Sequence, residues 1–288
     1  VIEHHLKKIK NKNHYIYTQN FMSNDNLKIK SVAILIECDN QHNLGKACQR
    51  DIVNVTKRLV KNNPDNWNIY IFTFTPSYFV KLLSEVNVNN QNNIKAILSR
   101  EHKMNFEQIL KKAKMENGCG VINELYIHVS GHGYSNSDST RNELDGRSEY
   151  IITPTQVLSD NTMYNILLKN IDMNTKIRIA VDTCRSGTFS NFQYQFDNSV
   201  IRNAVRNPRP YFTNAWSISS CLDSQLSMND IGEISGFGGS LTVQMLDNPN
   251  VFENFMSSDR NEISKALNSL KPILAKLRQT PLLLCDNK

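Results

Sequence analysis

The sequence predicts an α/β fold built on a mainly parallel sheet, and three observations carry that expectation. Short apolar segments rich in β-branched residues alternate with stretches of helical periodicity, the pattern of strands connected by helices. The strand segments read as nearly continuous apolar runs, as expected of strands covered on both faces. A histidine, a thiol and several acids sit just past strand ends, where open α/β sheets bind their ligands.

SVAILIE (31–37) predicts the first strand. LGKACQRDIVNVTKRLVK (44–61) follows as a helix, because Ala47, Ile52, Val55, Leu59 and Val60 recur at near-helical spacing. WNIYIFTF (67–74) is a second strand, with a helix expected from Ser77 to about Glu85. The low-complexity NVNNQNN (87–93) reads as a surface loop. A helix from about Asn105 to Glu116 precedes the strand ELYIHVSG (124–131). The polar run 134–149 is expected to be a mobile loop, and a short helix is expected over about 162–170. KIRIAVDTC (176–184) and AWSISSC (215–221) are the next strands. Helices near 238–247 and 259–277 and a final strand PLLLC (281–285) complete the pattern.

The chain has 288 residues, enough for one sizeable core. No apolar run approaches the roughly 20 residues that cross a bilayer. Of the net charge of +6, +4 falls in residues 1–30, where six lysines face Glu3 and Asp25. The near-neutral remainder argues against a nucleic-acid-binding core, and the arm itself reads as a solvated basic segment. Val1 in place of Met is the start expected of a trimmed form. Cysteines 38, 48, 119, 184, 221 and 285 form no Cys-x-x-Cys pair and no zinc-spaced cluster with histidine. Reduced cysteines in strand-like segments fit a reducing, cytoplasmic setting.

The strand ends carry the chemistry. One ends in Ser130-Gly131-His132-Gly133, another in Asp182-Thr183-Cys184. A thiol of ordinary pKa, about 8.5, is mostly protonated at neutral pH and needs a base or cation beside it. His132, flanked by glycines, is sterically free to serve. Each residue alone has a bland reading, but together at neighbouring strand ends they point to a nucleophile and its base. The backbone N–H groups of Cys184 and Gly133 would then supply an oxyanion hole. Asp182 lies two residues before Cys184, on the same side of a strand. Its charge disfavours a thiolate unless a substrate cation arrives, and a guanidinium would pair with it bidentately. Taken alone, Asp182 can equally cap the turn after the strand.

SGHG, DTCRSGT, SISSCLDSQLS and GGSLT, in this order, resemble the metacaspases, relatives of the caspases, from about residue 31 to the end of the chain. The separation of 52 positions from His132 to Cys184 is close to the roughly 50 that separate the caspase pair. The resemblance implies a caspase-like α/β/α sandwich and cleavage after Arg or Lys rather than Asp. By position it makes His132 the catalytic histidine and Cys184 the nucleophile. Asp182, Ser130, Cys48 and Asp51 become the lining of a pocket for the basic side chain, and Asp223 a further acid near it. It also implies a peptidase domain over 31–288, behind the arm 1–30. A large-subunit-like part (31–187) and a small-subunit-like part (213–288) are joined by a linker (188–212) in which Arg202, Arg206 and Arg209 are candidates for self-cleavage.

Two departures stand out. Arg185 follows the nucleophile where the family usually has His. Many metacaspases bind calcium through an acidic cluster, but the matching positions here include Ser159 and Asn191, leaving Asp160 with Asp145 or Glu143. Calcium takes six to eight oxygen ligands, so activity is expected without it and no cofactor is required. The expected partners are proteins or peptides with exposed Arg or Lys, with no membrane or nucleic acid, and the protein is expected to be a monomer. Three other readings compete: an Asp-specific caspase, which would need arginines in the pocket; a catalytically inactive caspase-like scaffold; and nucleic-acid binding through the arm.

Overall fold

The computed structural model describes residues 31–39, 44, 46–62, 66–74, 94–98, 104–117, 120–137, 144, 146–197, 200–206, 210–227 and 239–287. The basic arm, the helix expected from Ser77, the NVNNQNN loop, Cys119, Glu143, Asp145 and Arg209 lie outside them.

Six strands run parallel: β1 (Ser31–Cys38), β2 (Trp67–Thr73), β3 (Ile94–Leu98), β4 (Glu124–Gly131), β8 (Lys176–Thr183) and β11 (Asn214–Ser219). Their spatial order is β11-β8-β4-β1-β2-β3. The antiparallel β12 (Leu282–Cys285), β9 (Tyr194–Asp197) and β10 (Val200–Asn203) extend the sheet beyond β11, in the order β10-β9-β12. The central strands are buried along their length, which is why they read as apolar runs.

Side-chain alternation divides the sheet between two cores. Val32, Ile34 and Ile36 of β1, with Ile127 of β4 and Ile179 of β8, face helices α2 (Phe106–Glu116) and α3 (Asp160–Asn170). Ala33 and Leu35, with Tyr126 and Ala180, face α1 (Ala47–Asn62), α4 (Ser240–Asp247), α5 (Pro249–Met256) and α6 (Arg260–Lys276). The result is the expected α/β/α sandwich. Local chemistry sets the helix starts. Asn105 and Gln108 form a reciprocal capping box at 2.9 Å, and Ser159 caps α3 through the Thr162 N–H at 3.2 Å. Fully buried Arg178 turns all its donors to oxygens of Ile177, Asn214, Phe255 and Ser257, tying β8 and β11 to the end of α5.

Two expectations are corrected and one helix is added. The segment 134–149 is not simply a loop, for β5 (Tyr134–Ser137) and β6 (Arg147–Ile152) pair antiparallel, and β7 (Val157–Ser159) completes a small second sheet. Its polar sequence hides it because its strands are only partly buried. The expected linker 188–212 contributes the β9–β10 hairpin to the main sheet. The region after 247 continues as α5, which begins on Pro249, a residue tolerated in a first helical turn. Among the described residues no helix is long and apolar enough to cross a membrane.

Candidate active site

Register brings His132 and Cys184 to adjacent strand ends. In the parallel β4–β8 pair Ser130 lies opposite Asp182 and Gly131 opposite Thr183. His132 and Cys184 are therefore the next residues off both strands. Gly133 seals the junction: a Cβ there would lie 2.0 Å from the Cys184 carbonyl oxygen and 2.6 Å from Thr183 Oγ1, so only glycine fits. On its other side His132 donates its N–H to the Cys38 carbonyl at 3.2 Å.

Among the described cysteines Cys184 alone is partly exposed. Cys38, Cys48, Cys221 and Cys285 are buried, and burial pushes each thiol up, Cys285 to about 12. Those thiols stay protonated and sheltered. The Cys184 S–H points to the Ser227 carbonyl at 3.8 Å. Arg185, next in sequence, has left-handed backbone (φ 55°), donates its N–H to Gln225 O, and reaches Ser135 Oγ with its guanidinium at 3.3 Å.

Asp51 and Asp182, the acids expected to line the pocket, come together where α1 meets the start of α4. Asp51 of α1 accepts from Ser130 Oγ at 2.6 Å and from the Gly239 N–H at 3.0 Å. Asp182 accepts from Ser227 Oγ at 2.9 Å and from both the N–H (2.8 Å) and hydroxyl (2.9 Å) of Thr242. A Cβ on Gly239 would lie 2.4 Å from Asp182 Oδ2 and 2.9 Å from Asp51 Oδ2, so both carboxylates converge on this backbone. α4 has no side-chain cap of its own, and the two acids fill that role for its first turn. Both are closed to solvent, at 1% and 0% exposure. Burial raises both carboxyls, and the charge of Asp182 raises Asp51 further, against the opposing pull of their hydrogen bonds. Cys48, also buried, stands beside this pair and takes part through Ser130.

A hydrogen-bond chain backs Asp182. His128 is buried, and desolvation pushes its imidazole down to about 3. It is therefore neutral. Its Nδ1 lies 3.1 Å from the Tyr126 hydroxyl and its Nε2 3.2 Å from Thr242 Oγ1. Since the Thr242 hydroxyl donates to Asp182, it accepts from His128, which fixes the proton on Nε2 and makes Nδ1 the acceptor from Tyr126. One direction runs through the whole chain, Tyr126 to His128 to Thr242 to Asp182.

Asp223 departs from its expected place. Its carboxylate accepts from the Thr188 N–H and hydroxyl, both at 2.9 Å, and packs on Gly187. It therefore clamps the turn after Cys184 instead of joining the Asp51–Asp182 pair. Glu149 reaches the same Thr188 hydroxyl at 2.7 Å. Nearby, Asp160 is fully buried and accepts from Ser148 Oγ (2.6 Å), the Glu149 N–H (2.9 Å) and the Asn161 N–H, while Asn191 donates to Asn161 Oδ1 at 2.9 Å. Among the described residues no group of three or more His, Cys, Asp or Glu is placed to hold a metal ion.

Sequence reasoning assigned no role to Ser227, Gly239 or Thr242, although they lie in SISSCLDSQLS and GGSLT, nor to Asp39, Tyr126 or His128. Strand alternation was the available signal for the last two, because Tyr126 and His128 share one face of β4 with Ser130.

Comparison with known proteins shows the family and the fold. The family described as metacaspase, peptidase C14 domain, matches residues 29–193. Metacaspase-1 of Plasmodium falciparum (isolate 3D7) is 26% identical over 172 residues, covering 55% of this chain and 27% of that protein. Metacaspase-2 of Arabidopsis thaliana is 25% identical over 131 residues, covering 41% of this chain and 31% of that protein. The chain thus spans about a quarter to a third of the length of these curated relatives. The crystal structure of protein GSU0716 from Geobacter sulfurreducens shares the fold, with a TM-score of 0.50 at 18% identity over 90% of this chain and 94% of that one. Because the family match runs across more than half of the chain and extends past Cys184, the chain belongs to the metacaspase, peptidase C14, family of cysteine peptidases.

Proposed function

We propose that this protein is a cysteine endopeptidase that hydrolyses peptide bonds after Arg or Lys. The observation that supports the reading is that Cys184, the one partly exposed described thiol, and His132 each follow the last residue of two neighbouring strands. Cys184 loses its proton to His132 and attacks the carbonyl carbon; His132 then protonates the leaving amine, and water hydrolyses the thioester. Asp51 and Asp182 receive the substrate cation. Both are covered, so the guanidinium must displace the Gly239 N–H and the Ser227 hydroxyl and substitute its own donors. That exchange explains why acids lie so near a nucleophile, since the incoming charge neutralises them.

The described residues at the family's calcium positions do not fit that ion. Both oxygens of Asp160 are committed to hydrogen bonds, Ser159 caps α3, and Asn191 is tied to Asn161. Calcium needs six to eight oxygens, several of them charged. The protein therefore works without calcium, and a chelator leaves its initial rate unchanged. Self-cleavage favours Arg206, exposed and outside the strands, over Arg202, which is paired with Gln195 in the hairpin. The protein acts as a monomer in the cytoplasm on protein or peptide substrates, without nucleic acid.

Cys184→Ala abolishes cleavage of an Arg-ending fluorogenic peptide and leaves the fold intact; retained cleavage overturns the reading. The closure of both pocket acids favours one second reading, a catalytically inactive scaffold. Labelling of Cys184 by an arginyl chloromethyl ketone decides between them, because a scaffold with a permanently closed pocket does not react.

A further inference from the structure

The chemistry above uses Cys184 and His132 and gives no role to Asp39, the first residue beyond β1. Its side chain is only 3% exposed. One oxygen, Oδ2, accepts from the Leu44 N–H at 3.2 Å. The other, Oδ1, stands 3.6 Å from His132 Nε2. The backbone holds the two residues in that relation: Cys38 is opposite Gly131 in the β1–β4 pair, and the His132 N–H donates to the Cys38 carbonyl.

A carboxylate sheltered from water is retained as an anion only where a cation or strong donors face it. At 3.6 Å the contact is too long for a hydrogen bond but close enough for an ion pair with a protonated ring. The two ring nitrogens are distinct, and what one faces decides the work of the other. Nε2 is the ring nitrogen that faces Asp39. The other groups around the ring come from every neighbouring element. Tyr134 of β5 lies with its ring 6.3 Å away, and Cys184 stands beyond β8 with Gly133 against its carbonyl. Arg185 and Arg147 are both turned to Ser135, at 3.3 and 3.2 Å. Asp51 of α1 accepts from Ser130, two residues back along β4, and Cys48 of α1 lies within electrostatic reach of Asp39 as well as of Ser130 and Asp51.

We propose that Asp39 is the positioning acid of the site, turning Nε2 of His132 inward and stabilising the imidazolium that forms when Cys184 gives up its proton. The inference rests on the peptidase reading of the same site. In the step concerned, the S–H bond of Cys184 breaks and an N–H bond forms on the His132 imidazole. The result is a thiolate, an imidazolium and the standing charge of Asp39. The imidazolium proton later passes to the leaving amine, and the ring returns to neutral while still facing Asp39.

The test is the pH profile of kcat/KM on an Arg-ending peptide for wild type, Asp39→Asn and Asp39→Glu. Without the carboxylate the imidazolium is less stable, so the alkaline limb of Asp39→Asn moves to lower pH by about one unit. Its kcat at pH 8 falls about tenfold, while KM, which the proposed function assigns to Asp51 and Asp182, stays within about twofold. Asp39→Glu, which keeps the charge, restores the limb. An Asp39→Asn profile that superimposes on wild type after scaling overturns the proposal, as does a loss confined to KM. Should Asp39→Asn fail to fold, Asp39→Ser and Asp39→Glu carry the comparison, and a shared profile for those two overturns it as well. A wild type inactive on every Arg and Lys peptide, with Cys184 unlabelled, would instead remove the peptidase reading itself.

Discussion

Thr242 gives both its backbone N–H and its hydroxyl to one oxygen of Asp182, at 2.8 and 2.9 Å, so the acid of β8 closes the first turn of α4. The same hydroxyl accepts from His128. Thr242→Val keeps the shape and the N–H bond but leaves two buried polar groups short of a partner, at a cost of about 1–3 kcal/mol. We expect a lower Tm and an altered KM for Arg peptides with kcat little changed, measured by thermal denaturation and steady-state kinetics.

Burial raises the carboxyls of Asp51 and Asp182, and the charge of Asp182 raises Asp51 further. A protonated pair cannot hold a guanidinium, so KM for an Arg peptide should rise as pH falls through the raised range. Alkylation of Cys184 by iodoacetamide, which needs no cation in the pocket, should not follow that curve. The same shift has a stability sign. A raised carboxyl binds more protons folded than unfolded, so its contribution worsens as pH rises above the ordinary carboxylate value of about 4. Asp51→Asn should therefore melt higher than wild type at pH 8 while losing at least about 100-fold in kcat/KM.

His128 is held neutral, its imidazole pushed down to about 3. The unfolded chain takes up that proton below about 6.5 and the folded chain does not. Stability is present above pH 6.5 and is lost as pH falls toward 3. His128→Gln cannot titrate and can still donate toward Thr242. Its Tm should lie below wild type at pH 7.5 and converge with or cross it near pH 4.5, as read by calorimetry across that range.

Gly133→Ala forces a methyl group to 2.0 Å from the Cys184 carbonyl oxygen. The strand ends must separate, and a displacement of about 1 Å at reacting groups costs about 100-fold in rate. Gly146→Ala is the control, since its Cβ meets nothing within 4 Å although its φ is +76°. It should cost about 1–2 kcal/mol in stability and leave kcat/KM unchanged.

The central strands were legible because burial on both faces forces apolar runs, and β1, β4, β8 and β11 fall within two residues of expectation at each end. The chemistry at their ends was legible because the topology leaves reactive residues few other places to converge. β5, β6 and β10 escaped notice because they are partly exposed and polar, so alternation carries little signal. Ile94–Leu98 was passed over behind an Asn-rich stretch. Asp223 misled because a motif fixes a residue's place in the chain and not the direction of its carboxylate; the turn at Gly187–Thr188 takes it. Asp39 and Thr242 are ordinary residues in sequence, and only the meeting of β1 with β4, and of α4 with β8, gives them work.

The placement of β12 between β11 and β9 has a consequence for a nicked chain. A cut anywhere from 204 to 213 would leave β9 and β10 on one fragment and β11 and β12 on the other, interleaved in a single sheet. The later fragment would also keep Thr242 behind Asp182 of the earlier one. Such a protein should run as two bands after denaturation yet elute from gel filtration as one undivided particle.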